Sequence, residues 1–411
     1  MKFQTPKGTR DFLPEEAINF FKLIEIVRKV FEEYGFDPII TPAFEKFELL
    51  AAKGGLGEAV KDEIYYFKDK SDRELGLRFD MTMPLARVAS SNQQLPKPFK
   101  RYVIDKVWRY DNPQAMRWRE FWQADIDVVG SSSVLADVEC LAAVCKIFSE
   151  LGFKDYFIRI SSRKLLENLL EKFVPKNKIV EVFRILDKQD KIGIEGVKKE
   201  LETVGVDGKE IIKIIVDKTA DISSFEGGKE IKELFDYAKA YGIDSKLKLD
   251  LSLVRGLEYY TDVVFEVYAG AKVSCGGGGR YDNLIEVVGG MKMPATGISL
   301  GLDRIFEILK EQKLFEMKKT GAKIFVANVD EKMRIKSIEI AQELRKGGIN
   351  CQTDLMGRNL TKQLEYADSL GIPFVVIVGE KEIKKKKFKL KDMRKKTEKE
   401  MDIQNILKML G

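Results

Sequence analysis

The chain contains no histidine. That absence removes Ser-His-Asp and Cys-His nucleophilic chemistry, histidine-ligated zinc and any histidine general base. A reaction carried here must run on carboxylates, cations, backbone amides or metal-bound phosphates. Cysteine is scarce: Cys140, Cys145, Cys275 and Cys351 are scattered without a C-x-x-C pair. Neither a disulfide framework nor a zinc site is indicated, no protein-bound metal is expected, and the usage suits a reducing cytoplasm. Cys140 and Cys145 are expected on a buried helix. No apolar run reaches the ~18 residues of a membrane span, and Met1–Arg10 has no signal core. A soluble, cytoplasmic protein without a membrane partner is the expectation. A large excess of one charge is also missing. The 71 Lys and Arg against 65 Asp and Glu leave +6, too mild for a protein that coats DNA.

What is present suits a sizeable globular chain. Hydrophobic residues make up 44% and charged residues 33% of 411 positions, and roughly 150 residues per domain gives two or three domains. From Pro14 to Tyr34 apolar residues recur at Ala17, Phe21, Ile24, Val27 and Phe31, a helical stripe. Pro14, Glu15 and Glu16 suit its start and Gly35 its stop. Extended segments follow near Ile39–Ile40, Ile64–Phe67, Tyr102–Trp108 and Phe121–Val129. Residues 164 to about 240 read as short charged helices, and strands return at Lys246–Val254 and Val263–Tyr268. This order fits an α-helical insertion inside a sheet domain. After a charged connector, strands at Ile324–Val329, Cys351–Leu355 and Phe374–Val378 alternate with helices, which predicts a small α/β domain with a largely parallel sheet. Lys381–Lys396 is the one biased segment, with ten basic and two acidic residues.

Four stretches could carry chemistry. In the hairpin Phe99–Gly130, period-2 alternation puts Trp122, Ala124, Ile126 and Val128 on one face. Arg119, Phe121, Gln123, Asp125 and Asp127 fall on the other. A solvated face is the plain alternative, but Arg109, Arg117 and Arg119 converge on the same hairpin. Arginine forks match phosphate oxygens, so this face could hold a polyphosphate beside a cationic small molecule. In Leu253–Tyr260, Arg255–Gly256 puts a cation where the backbone can bend, with a surface arginine beside an edge bulge as the alternative. Ser274–Asp282 is glycine-dense but fits neither a Rossmann fingerprint nor a P-loop. Its glycines let backbone approach a ligand closely, or simply make a flexible turn. Pro294–Arg304 runs from an extended segment into a helix with Arg304 in its first turn, which favours an anionic ligand; an ordinary Asp303–Arg304 surface pair is the alternative.

These stretches together resemble class II aminoacyl-tRNA synthetases, and within them the histidyl-tRNA synthetase family. The similarity starts at Lys7–Glu16 and covers nearly the whole chain. Tyr34–Glu45, with Pro42, resembles the family's dimer-forming motif 1, Trp108–Gln123 its motif 2 and Thr296–Arg304 its motif 3. Leu253–Thr261 and Gly277–Leu284 resemble signatures particular to histidyl enzymes. The resemblance implies an α+β fold. Residues 1–321 would form an antiparallel-sheet catalytic domain carrying the helical insertion (about 164–240), and residues 322–411 an α/β anticodon-binding domain. It implies activation of L-histidine with ATP and Mg2+, transfer to tRNA(His), and a homodimer.

The family's roles fall on matching positions as implications of that resemblance. Arg109 would grip the ATP α-phosphate and the amino-acid carboxylate, and Asp111 would lie near the adenine. Arg117 would reach the β,γ-phosphates, Arg304 the γ-phosphate, and Arg255 the α-phosphate beside the histidine carboxylate. Asp80, Thr82 and Gln123 would receive the α-ammonium, while Asp127, Tyr260 and Tyr281 would surround the imidazole. Gln114 would face the tRNA acceptor end. Asp80, Asp111 and Asp127 stand where many bacterial members have Glu, Met116 where glycine is usual, and Asp262 where glycine is common. Lys384–Lys396 could touch tRNA phosphates or form a solvated edge hairpin. The main competing reading is a synthetase-like regulatory subunit of histidine biosynthesis. Such subunits typically lack the anticodon domain and erode the motif arginines, and both are present here. Threonyl enzymes use zinc with His and Cys ligands, which are missing. A pure RNA-binding module would leave the arginines unused.

Overall fold

The computed structural model describes residues 3–52, 61–114, 116–216, 222–254, 259–270 and 274–411. Two compact units divide the chain, residues 1–11 with 23–315 and residues 12–22 with 316–411.

The larger unit is organised on a hairpin of two ten-residue strands. Its strands, in chain order, are β1 (Asp37–Pro38), β2 (Phe44–Lys46), β3 (Tyr66–Lys68), β4 (Glu74–Leu77), β5 (Phe99–Trp108), β6 (Glu120–Val129), β7 (Tyr156–Ser162), β8 (Leu247–Leu249), β9 (Val263–Ala269), β10 (Ser274–Arg280) and β11 (Ala295–Gly301). Eight of them form one sheet in the order β1-β5-β6-β11-β10-β9-β7-β8, and β2-β4-β3 form a smaller one. The large sheet is antiparallel except for the outermost pairs, β1 with β5 and β7 with β8. Helix Val134–Glu150 buries most of its side chains, Cys140 and Cys145 among them, and Ser133 caps it by accepting from the Leu135 N–H. The helical insertion lies between β7 and β8, with helices at Arg163–Leu170, Ile179–Leu186, Gln189–Thr203, Gly208–Val216 and Gly228–Ala240.

Three expectations need revision among residues 14–301. The run Ser274–Arg280 is a central strand, which sets aside the flexible-turn alternative while leaving its glycines beside the cavity. Glycine fits there because side chains would strike the neighbouring strands: a Cβ on Gly278 would lie 2.1 Å from the Gly297 oxygen, and one on Gly276 2.5 Å from the Ser299 oxygen. The strand expected over Lys246–Val254 is confined to Leu247–Leu249. Asp250 turns the chain by accepting from the Ser252 amide at 3.1 Å and its hydroxyl at 2.6 Å. Along helix Pro14–Glu33 the apolar stripe holds at Val27 and Phe31 but not at Phe21, which is 62% exposed, and Phe20, Leu23 and Val30 are buried beside it.

The smaller unit holds β12 (Ile324–Asn328), β13 (Cys351–Thr353), β14 (Phe374–Val378), β15 (Phe388–Asp392) and β16 (Thr397–Met401), in the order β13-β12-β14-β15-β16. Alternate residues feed two cores. Ile324, Val326, Val376 and Val378 pack on one side of the sheet, and Phe325, Ala327, Val375 and Ile377 on the other. That explains why β14 is apolar throughout. The sheet is mixed, not largely parallel: β12 runs parallel to β13 and β14, while β14, β15 and β16 pair antiparallel. The difference lies in the lysine-rich run, where Phe388 and Leu390 point inward between outward lysines and so make a strand.

Candidate active site

The polar face of β6 is not solvated. Gln123, Asp125 and Asp127 are buried and, with Phe121, line a cavity of about 740 Å³. Gly297 and Ser299 of β11 and the glycines of β10 complete its floor. Glycine at 297 is required, because a Cβ there would lie within 2 Å of the Asp127 carboxylate, at 1.9 Å.

One end of the cavity is acidic. Asp127 faces Arg101 directly across the β5–β6 ladder, with Arg101 Nη2 2.5 Å from Oδ2, and the Tyr281 hydroxyl donates to Oδ1. Burial pushes the Asp127 carboxyl above its usual range and Arg101 opposes the rise. Tyr281 is held in place by its neighbour Arg280, whose guanidinium pairs with buried Asp137 and donates to the Ser133 and Ser131 oxygens at 2.9 and 3.0 Å. Tyr260 lies alongside, joined by the Thr261 amide to the Arg280 oxygen at 2.7 Å. Asp80 opens helix Thr82–Ser91 by accepting from the Met83 amide at 3.1 Å, and both Asp80 and Thr82 line the cavity. The Gln123 Oε1 is buried with no donor among the described residues. A buried acceptor beside acidic side chains suits an ammonium group.

The other end is cationic. Arg109, just past β5, donates from Nε to the Phe79 oxygen at 3.0 Å, and its guanidinium lies 5.2 Å from the Phe121 ring centre. Arg117 forms a forked pair with Asp111, at 3.0 and 2.7 Å, in a half-exposed position. Such a surface pair is worth under about 1 kcal/mol and can open to receive a phosphate. Arg304, in the first turn of helix Leu302–Glu311, donates to the Met116 oxygen at 3.1 Å and the Ser274 oxygen at 2.8 Å. Among the described residues no group of three or more Cys, Asp or Glu could hold a metal ion.

Most residues singled out from the sequence therefore meet in one cavity: Asp80, Thr82, Arg109, Asp111, Arg117, Gln123, Asp127, Tyr260, Tyr281 and Arg304. Two do not line it. Arg119 turns away, stacking 4.1 Å from the Tyr110 ring and donating to the Asp111 oxygen at 2.9 Å, so the three arginines of the hairpin do not converge. Gln114 is exposed in the loop, bridged to Arg117. Arg255 lies outside the described residues. Sequence reading gave no role to Arg101, Asp125 or Ser299. Their signal is cross-strand register: Arg101 opposes Asp127, and Asp125 opposes Ser299.

The model of the histidyl-tRNA synthetase family matches residues 8–305, and that of the anticodon binding domain matches residues 323–411. A histidine–tRNA ligase of Thermococcus kodakarensis is 38% identical over 98% of this chain and 98% of its own length. Another from Nanoarchaeum equitans is 39% identical over 98% of this chain and 97% of its own. The crystal structure of histidyl-tRNA synthetase from Nostoc sp. superposes with a TM-score of 0.88 at 31% identity, covering 100% of this chain and 99% of that one. No helix among the described residues is long and apolar enough to cross a membrane.

Proposed function

This chain belongs to the histidyl-tRNA synthetase family, and from that premise we infer that it activates histidine with ATP and transfers it to the 3′ end of tRNA(His). The observation that carries the reading is the division of one cavity into an arginine end and a carboxylate end. An amino acid with a cationic head and a polar ring fits one, and a polyphosphate fits the other.

The reaction asks for no side-chain base. The histidine carboxylate attacks the α-phosphate and pyrophosphate departs, so positioning and charge stabilisation supply the catalysis. Arg109 holds the α-phosphate and the substrate carboxylate, and Arg255 supports the same phosphate. Arg117 and Arg304 draw the β,γ-phosphates away. Asp111 lies by the adenine. Asp80, Thr82 and Gln123 take the α-ammonium, with the open Gln123 Oε1 as one acceptor. Asp127, Tyr260 and Tyr281 surround the imidazole. Mg2+ enters with ATP as part of that substrate and neutralises phosphate charge. In the second step the terminal ribose hydroxyl of tRNA attacks the carbonyl carbon of the adenylate, its proton passes to a phosphate oxygen and AMP departs as the acyl–phosphate bond breaks, with Gln114 in the exposed loop facing the acceptor end.

Residues 323–411 carry the tRNA anticodon contact in this reading, aided by the exposed lysines of Lys384–Lys396. Each phosphate neutralised there steepens the salt dependence of binding. Homodimerisation runs through Tyr34–Glu45, where Ile40 is 95% exposed on the segment after edge strand β1. The chain works in the cytoplasm. A regulatory paralogue is disfavoured by Arg109, Arg117 and Arg304 in the cavity and by the anticodon-domain match.

ATP–pyrophosphate exchange with each of the twenty amino acids tests the reading. Exchange with histidine alone is expected. Exchange with a different amino acid moves the specificity, and silence with all twenty points to a regulatory protein.

A further inference from the structure

Asp125 has no role in the scheme above, yet it is built into the cavity as fully as its neighbours. It is 4% exposed and lines the cavity two positions from both Gln123 and Asp127 on one face of β6. Ser299, directly opposite in β11, donates to its Oδ1 at 2.5 Å. Its Oδ2 meets no donor among the described residues. The charged groups acting on it are Arg101 from β5, Asp127 from its own strand and Asp80 from the segment before helix Thr82–Ser91. Burial pushes the carboxyl up to about 7, Arg101 opposes the rise, and the two aspartates add to it.

The neighbouring ring reader is more fully engaged. Asp127 accepts from Tyr281 on Oδ1, and its Oδ2 is held in an ion pair, 2.5 Å from Arg101 Nη2. The α-ammonium, by contrast, has Asp80 and the open Gln123 Oε1 to meet it. Asp125 Oδ2 differs from both Asp127 oxygens in having neither a hydrogen bond nor an ion pair among the described residues, and a ring N–H of the imidazole is a substrate group it can accept from.

We propose that Asp125 is a specificity-determining residue: its Oδ2, oriented by Ser299, accepts a ring N–H of the substrate imidazole, so that two carboxylates of β6 read the ring. The proposal rests on the histidine-activating reading. An amino acid with an apolar ring leaves this acceptor buried and unsatisfied, and a site built that way rejects such an analogue strongly.

The test uses full-length protein and histidine-dependent ATP–pyrophosphate exchange. Asp125→Ala is expected to raise the KM for histidine by about ten- to a hundredfold, with the KM for ATP unchanged. Wild type is expected to show a fall in histidine KM as pH rises through neutrality, and Asp125→Asn, which keeps the shape, is expected to lose less than Asp125→Ala and to abolish that fall. Ser299→Ala shifts histidine KM in the same direction. Inhibition by 3-(imidazol-4-yl)propionate, which keeps the ring and lacks the ammonium, weakens in Asp125→Ala by the same factor as histidine binding. An unchanged histidine KM overturns the proposal. So does a histidine KM that rises while inhibition by the propionate is untouched, since that residue reads the ammonium, and so does an equal rise in the KM for ATP. Wild-type protein with no histidine-dependent exchange overturns the underlying functional reading instead.

Discussion

Arg101 and Asp127 stand opposite each other in the β5–β6 ladder, both buried, with 2.5 Å between Nη2 and Oδ2. The ion pair forms the base on which the Tyr281 contact is mounted. Removing one member strands the other charge in a dry site. Arg101→Leu is expected to destabilise the larger unit by about 3–5 kcal/mol. Adding Asp127→Asn should recover part of that loss. Denaturant unfolding of the two single variants and the double variant checks both; additive losses would mean the two groups are not coupled.

Arg10 ties together three stretches far apart in sequence. Its Nη1 and Nη2 reach Glu307 at 2.7 Å and Asp303 at 3.1 Å, and its guanidinium lies 4.2 Å from the Trp118 ring centre. Asp303 in turn accepts from the Trp122 amide at 2.7 Å. Arg10→Ala should lower kcat/KM for ATP by about tenfold, roughly one charged hydrogen bond, with histidine KM little changed. Exchange kinetics at varied ATP and varied histidine separate these effects.

Met116 adopts φ +60, a left-handed conformation that glycine enters without strain, while its oxygen accepts from Arg304. Met116→Gly should therefore raise unfolding stability by about 0.5–1 kcal/mol. Retained exchange activity is expected alongside. A loss of stability on denaturant titration would show that the Met116 side chain matters more than its backbone.

Burial holds the Asp125 carboxyl up at about 7, against about 4 in an unfolded chain. Between those values the folded state binds more protons than the unfolded one, so this group's contribution to stability falls as pH rises toward 7. Asp125→Asn removes that slope. Stability curves for the two proteins should converge near pH 4, separate progressively up to about pH 7 and stay apart above it, with the variant higher; the reverse order at alkaline pH would contradict the assigned burial.

Asp262 fastens the helical insertion to the strand that follows Tyr260. Its Oδ1 accepts from the Ser162 hydroxyl at 2.6 Å, and Lys164 lies 3.3 Å from Oδ2. Ser162 also caps helix Arg163–Leu170 through the Leu165 amide at 3.2 Å. Asp262→Ala should cost about 1–3 kcal/mol by leaving the Ser162 hydroxyl without its acceptor. Hydrogen exchange should quicken first in residues 163–170. Uniform quickening across the sheet would argue against a local fastening.

Much of this site was legible because each motif is short, ordered and carries a charged side chain. The β5–β6 hairpin followed from alternation alone, and so did the shared face of Gln123, Asp125 and Asp127. What alternation cannot report is which side a polar face meets. Burial of that face depends on β11 and β10 lying beside β6, and the glycines that permit the packing looked like a turn because glycine has no strand propensity. Arg119 was misjudged for a related reason: sequence spacing placed it on the hairpin, but its guanidinium found the Tyr110 ring instead. The lysine-rich run concealed β15, since charge dominated a pattern in which only Phe388 and Leu390 face inward. Arg101 escaped notice because its meaning lies in register, which neither strand states by itself.

The glycine floor of the cavity sets the terms on which its specificity could be re-engineered. Gly276 and Gly278 offer no side chain to trim, and Cβ atoms there would collide with the adjacent backbone. Room for a bulkier amino acid must come from the walls, by shortening Tyr260 or Tyr281, and a smaller one cannot be accommodated by filling from below. A library randomised at β10 would return mostly unfolded protein, whereas one at Gln123 and Asp125 would explore new substrates on an intact sheet.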